Sequence, residues 1–249
     1  MTKTADYRKQ LRETEDWDTF LMAESGLPGP RGNLALADAA ADEGDPTRFA
    51  HWLTYTAETA PTNTPGEFLA LCGAVGLGRL LAEGHRDVLP KLRECASDAR
   101  WRMREGVAIA LQRWGDVDMG ALVEEMQKWS QGNLLEQRAA AAAVCEPRLL
   151  KNPAHAEQVF QILDTVTASI AQESNRKSEA FIALRKGLAY CWSVAVAAYP
   201  GVGKSHFERW LESNDKDIRS ILRENLKKDR LSRMDAAWVE RAQTRLDSA

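Results

Sequence analysis

The sequence predicts an all-α fold, a right-handed α-α superhelix of antiparallel helix pairs, on three observations. First, an arginine followed at once by an aliphatic or alanine-rich helix recurs as Arg104 in RMREGVAIAL, Arg138 in EQRAAAAAVC, Arg185 in ALRKGLAYCW and Arg219 in DIRSILRENL. The intervals are 34, 47 and 34 residues, the period of one helix pair and two short loops, with a 13-residue excess in the middle. Second, alanine and leucine number 64 against 18 valines and isoleucines, a bias toward side chains that lose little rotamer freedom in a helix. Third, no short alternating run rich in β-branched residues marks a strand.

The elements follow in order. Tyr7, Leu11, Trp17, Phe20 and Leu21 fall roughly on one face of a first helix over about 5–23. GLPGPRGN ends it, because two prolines and three glycines in eight residues break the helical ladder. Asn33 caps the next helix, over about 34–41, and Asp45-Pro46 opens another with proline where its missing N–H costs nothing. APTNTPGE is a second break. In the apolar stretch 68–82, Gly73, Gly76 and Gly78 cost about 1 kcal/mol each in helix propensity, so a tight helix crossing is expected there. Further helices are expected at about 88–96, 99–114, 118–130, 133–145, 154–170, 177–198, 204–213, 216–227 and 234–246. Gly115-Asp116, Gln131-Gly132, Pro147, Pro153 and Pro200-Gly201 serve as punctuation.

At 249 residues the chain has the length for one helical-repeat domain, with 1–97 divergent and 98–249 more regular. The net charge of −3 is uneven, since residues 1–97 hold 10 basic and 15 acidic side chains and the remainder 23 and 21. A local basic segment runs from Arg219 to Arg233 and includes Lys227, Lys228 and Arg230. Cys72, Cys95, Cys145 and Cys191 lie far apart without CxxC spacing, which predicts buried, reduced thiols and no metal. The N-terminus lacks an apolar leader core, and the longest apolar-leaning run, 187–200, is too short to span a bilayer. A cytoplasmic protein without a membrane segment is the expectation.

Most chemical motifs fail on their own requirements. PGVGKSH ends like a phosphate loop, but Ala198 stands where the first glycine is needed and a helix precedes it instead of a strand. The three glycines of 73–78 do not form a dinucleotide fingerprint. His51, His85, His155 and His206 are scattered, with no HxxxH pair and no nucleophile motif beside them. Trp101 stands out. The stripe Met103, Val107, Ala110, Leu111 and Trp114 faces the core of its helix, and Trp101, Glu105 and Gln112 project from the other side with Arg104 at the edge. Trp129, Trp210 and Trp238 fit apolar stripes. Arg31, set among prolines and glycines, marks either a binding loop or a plain connection.

The arginine-led helix pairs over about 98–249 resemble HEAT repeats, in which the recurrent arginine commonly braces neighbouring repeats through acidic partners. Within that class, Trp101 with Glu105 one turn later resembles the AlkD-like DNA alkylation-repair glycosylases, with Arg138 and Trp192 at the positions of that family's arginine and second tryptophan. The resemblance implies a cationic base held by an aromatic face and a carboxylate, with Glu105 as the catalytic group and arginine on phosphate. Glutamate stands where that family has aspartate, the 13-residue excess precedes Trp192, and the chain lacks overall positive charge. The expectation is therefore a non-enzymatic HEAT-like scaffold that binds a protein or other macromolecule and uses no cofactor, and the alternative is a DNA-binding protein or glycosylase. The binding residues expected are Trp101, Arg104, Glu105, Arg138, Trp192, Lys227, Lys228 and Arg230.

Overall fold

A computed structural model describes residues 2–248, and these form helices and loops with no strand among the described residues. They divide into two compact units that meet in sequence at Val117 and Asp118.

The first unit contains α1 (Lys3–Glu13), α2 (Trp17–Ala23), α3 (Leu34–Glu43), α4 (Pro46–Trp52), α5 (Pro65–Ala82), α6 (Leu89–Ala96) and α7 (Trp101–Val117). Alternate helices pack on one another, α1 on α3, α3 on α5 and α5 on α7, and α2, α4 and α6 add to the apolar α5. The glycines of α5 permit this. A Cβ on Gly78 would lie 2.4 Å from Ala110 Cα of α7, and one on Gly76 would lie 2.4 Å from the Phe49 ring of α4. At the outer end, Arg8 and Arg12 of α1 grip Glu43 of α3 at 2.6 Å each. Hydrogen bonds and charge from Arg12 and Arg8 hold the Glu43 carboxyl down at about 2 against the opposing effect of burial.

The second unit contains α8 (Met119–Trp129), α9 (Leu134–Val144), α10 (Ala156–Gln172), α11 (Glu179–Ala198), α12 (Pro200–Arg209), α13 (Lys216–Leu226) and α14 (Asp229–Ser248). Again alternate helices contact, α9 with α11 and α11 with α13 on one side, α8 with α10 and α10 with α12 on the other. Asn225 ties α13 to α11 with its amide fully used. Its Nδ2 donates to Leu188 O and Ile221 O at 2.8 Å, and its Oδ1 accepts from Ser193 N–H at 2.8 Å.

Caps account for most helix starts. Asn33, Asp45, Asp118, Asn133, Ser178 and Asp215 each accept a first-turn N–H, and Asn133 forms a reciprocal capping box with Glu136. Four boundaries differ from the sequence expectation. The first helix is two, because Asp16 takes the Thr19 N–H at 3.1 Å and starts α2 afresh. Gly115-Asp116 lies inside α7, since a glycine near a helix end is a tolerable loss and the stop is set by the Asp118 cap of α8. Pro200-Gly201 opens α12 instead of preceding it, proline occupying the first turn. The last helix begins at Asp229, and the backbone turns extended at Asp235 (φ −162°, ψ 91°), which caps the second segment through the Trp238 N–H at 3.0 Å.

Two helices, α5 and α11, are long and apolar enough to cross a membrane by length and composition. A run counted between charged residues is shorter because each helix continues through an arginine, Arg79 or Arg185. Of their apolar windows 78% and 50% are buried within the fold, and each is the central helix of its unit. All four cysteines are free and buried. Burial is the main cause that pushes the Cys95 thiol up to about 11.

Candidate groove at Trp101

Trp101, at the first position of α7, is 43% exposed and has the largest side chain of the exposed apolar residues among those described. Its neighbour Arg102 is turned inward and buried. Arg102 Nη1 donates to Glu67 Oε2 at 3.1 Å, its Nη2 donates to Gly29 O at 2.6 Å, and its guanidinium lies 4.4 Å from the Trp101 ring centroid. Glu67 is fully buried in α5, and its Oε2 also accepts the Asn63 N–H at 2.7 Å. Burying such a pair is expensive in desolvation, more so because Glu67 Oε1 and Arg102 Nε have no hydrogen-bond partner among the described residues.

The pair fastens the GLPGPRGN loop. Gly29 is held from both sides, its N–H by Asn63 Oδ1 at 2.9 Å and its carbonyl by Arg102. Gly26 sits at φ +74°, and a Cβ on Gly29 would fall 2.3 Å from Gly26 O, so the tight turn demands glycine at both places. The loop places Pro30, Arg31 and Gly32 beside Leu34 at the start of α3. With Trp101 and Glu105 they line a groove of about 410 Å³. Leu34 is exposed like Trp101, Glu105 is half-buried and Arg31 is exposed. Neither Arg31 nor Glu105 belongs to an ion pair among the described residues, although Asp98 with Arg100, Glu67 with Arg102 and Asp42 with Arg113 are paired in the same unit. The groove therefore offers an apolar floor, one uncompensated guanidinium and one uncompensated carboxylate.

The recurrent arginines act as braces where their partners are defined. Arg104 Nη1 donates to Asp98 O at 2.7 Å and to Ala99 O at 2.8 Å, in the turn before its own helix. Arg219 repeats the move, donating to Ser213 O at 3.4 Å, and also reaches Leu246 O of α14. Arg185 lies 3.8 Å from Asp217 of α13, which Arg176 also binds at 2.8 Å. The stem of Arg138 packs at Gly187 of α11, where an added Cβ would meet its Cγ at 3.5 Å.

Other expected site residues are engaged within the second unit. Trp192 is fully buried, its Nε1 donates to Thr167 Oγ1 at 3.0 Å and its ring stacks on Phe160 at 6.0 Å. It is a core residue, which corrects its assignment to a binding surface; the apolar run SVAVAA after it turns that face of α11 inward. In the basic segment, Lys227 pairs with Glu224 at 2.6 Å and Arg223 with Asp247 at 3.3 Å. Arg230 donates to Tyr190 OH at 2.7 Å and covers its ring at 4.4 Å. Lys228 is half-buried, and charge from Lys227 and Lys228 helps to lower the Glu224 carboxyl, after its hydrogen bond to Lys227. Much of the local positive charge is thus satisfied in place.

One constellation went unread in the sequence. Trp52 Nε1 donates to Asp18 Oδ1 at 2.7 Å, and Trp210 Nε1 donates to Asp164 Oδ1 at 2.7 Å. The second oxygen of each aspartate meets an imidazole, His51 Nε2 at 2.7 Å from Asp18 Oδ2 and His206 Nδ1 at 2.6 Å from Asp164 Oδ2. The segments involved are RFAHWL (48–53) with Asp18-Thr19, and HFERWL (206–211) with Asp164-Thr165. Arginine and histidine exchange places between the two copies. With indole and imidazole on one carboxylate, each cluster reads as a helix-to-helix lock. Its repeat was visible as a short similarity between 48–53 and 206–211.

No family model matches this chain, and neither curated protein sequences nor solved structures give a match.

Proposed function

We propose that this chain is a HEAT-like helical-repeat scaffold whose role is binding, and that its first unit receives a protein segment in the Trp101 groove. The observation that carries the reading is the mixed character of that groove: an exposed indole and leucine flanked by one cation and one anion that form no ion pair among the described residues. Interface cores favour aromatic anchors with a polar rim, whereas nucleic-acid surfaces gather cations. The contacts between alternate helices in each unit support helix-pair stacking of the HEAT kind. The recurrent arginines fit it too, because Arg104, Arg185 and Arg219 hold neighbouring turns and helices.

The competing reading is an AlkD-like glycosylase, favoured by Trp101 standing one turn before Glu105. It draws Trp192 from the core and cations from a segment already occupied by Glu224, Asp247 and Tyr190. The discriminating experiment places a photo-crosslinking amino acid at Leu34 in the producing cell and identifies the adducts. A defined protein captured by wild type and lost in Trp101→Ala is the expected result. Excision of alkylated bases from duplex DNA, abolished in Glu105→Gln and retained in a distant surface variant, would overturn it.

A further inference from the structure

We infer that the Trp101 groove selects a polypeptide segment carrying one basic and one acidic side chain, the basic one lodged at Glu105 and the acidic one at Arg31. The inference rests on the protein-binding reading above and adds to it the chemistry of the partner. Trp101 and Leu34 supply an apolar strip on which the methylene stem of a lysine or arginine lies while its head reaches Glu105. Arg31 presents a planar fork of donors that matches a carboxylate in two parallel hydrogen bonds. The Arg102 guanidinium already lies over the indole at 4.4 Å and is itself neutralised by Glu67, so the ligand's cation belongs at the Glu105 carboxylate and its stem along the apolar strip.

A polyanion fits this arrangement poorly, since the half-buried Glu105 repels phosphate and, among the described residues that line the groove, Arg31 is the one cation. The backbone that carries Arg31 is fastened in advance. Gly29 is tied through both backbone groups, its N–H by Asn63 and its carbonyl by Arg102, and the buried Glu67–Arg102 pair leaves Glu67 Oε1 and Arg102 Nε without partners among the described residues. A loop held at such desolvation cost fixes the backbone beside Arg31 before any ligand arrives, which lowers the ordering cost of binding to that of the side chain itself.

The test pans a random dodecapeptide library on the full chain and measures the selected peptide by fluorescence polarisation. Expected are sequences with a lysine or arginine at fixed spacing from an aspartate or glutamate. Affinity should fall about tenfold or more in Arg31→Glu and in Glu105→Lys. The double variant carrying both reversals should prefer the peptide with its two charges exchanged. Arg31 is exposed and Glu105 half-buried, and neither forms an ion pair among the described residues, so unchanged thermal midpoints verify that the variants fold.

Peptides whose binding needs Trp101 but ignores both charge reversals would sink the charge pairing and leave the protein-binding reading standing. No peptide binding that depends on Trp101 overturns both. Tighter binding of a 20-mer oligonucleotide in Glu105→Lys, with no peptide selected by wild type, also overturns both and points to nucleic acid.

Discussion

Arg219 shows what a single side chain can settle. It donates to Ser213 O and to Leu246 O from a partly buried position, so truncation leaves carbonyls of two elements short of a charged donor. Arg219→Ala should lower the unfolding free energy by about 1.5–3 kcal/mol, measured in urea with the slope unchanged. An unchanged midpoint would remove Arg219 from the bracing role and return it to the surface. At this scale the sequence was partly legible. Helical periodicity separated Trp101 and Glu105 from the core stripe of α7, and both line the groove. Trp192 was placed by the glycosylase resemblance and not by periodicity, and the structure buries it among α9, α10, α12 and α13, which pack around α11. Glu67 and Arg102 escaped notice for a different reason. Their link spans 35 residues, and a charge buried against an equally distant partner leaves no local pattern.

Helices were read well where a cap and a break coincide, as at Asn33 and at Asp45-Pro46, because both act within one turn. They were read poorly where one signal stood alone. The Asp16 cap interrupts an apolar face that continues across it, and Gly115 lies in a helix already supported by Leu111 and Trp114 in the core. The α5–α7 crossing gives the sharpest check on an element. Gly78→Ala drives a methyl to within 2.4 Å of the Ala110 backbone, which has no flexible side chain to yield. About 1–3 kcal/mol of destabilisation is expected. Gly201→Ala, in the first turn of α12 with open space around it, should be neutral or stabilising by up to about 1 kcal/mol. Equal effects in the two variants would mean that helix propensity, and not the close approach, governs Gly78.

Across the whole chain, the all-helical class was plain from composition and period, whereas the proposed binding groove includes a loop whose shape depends on remote anchors at Asn63, Glu67 and Arg102. Nothing in the letters GLPGPRGN tells which way Arg31 faces. The exposure of Trp101 has an optical consequence. Of the other tryptophans, Trp17, Trp52, Trp114, Trp129, Trp192 and Trp238 are buried and Trp210 is half-buried with its indole bound to Asp164. An aqueous quencher such as iodide or acrylamide therefore finds chiefly one indole in the folded protein. Emission from Trp101 should supply most of the quenchable fluorescence, and Trp101→Phe should abolish that fraction while leaving the shielded emission intact. A ligand that fills the groove should protect the same fraction in proportion to its occupancy, so the protein carries its own label-free binding gauge.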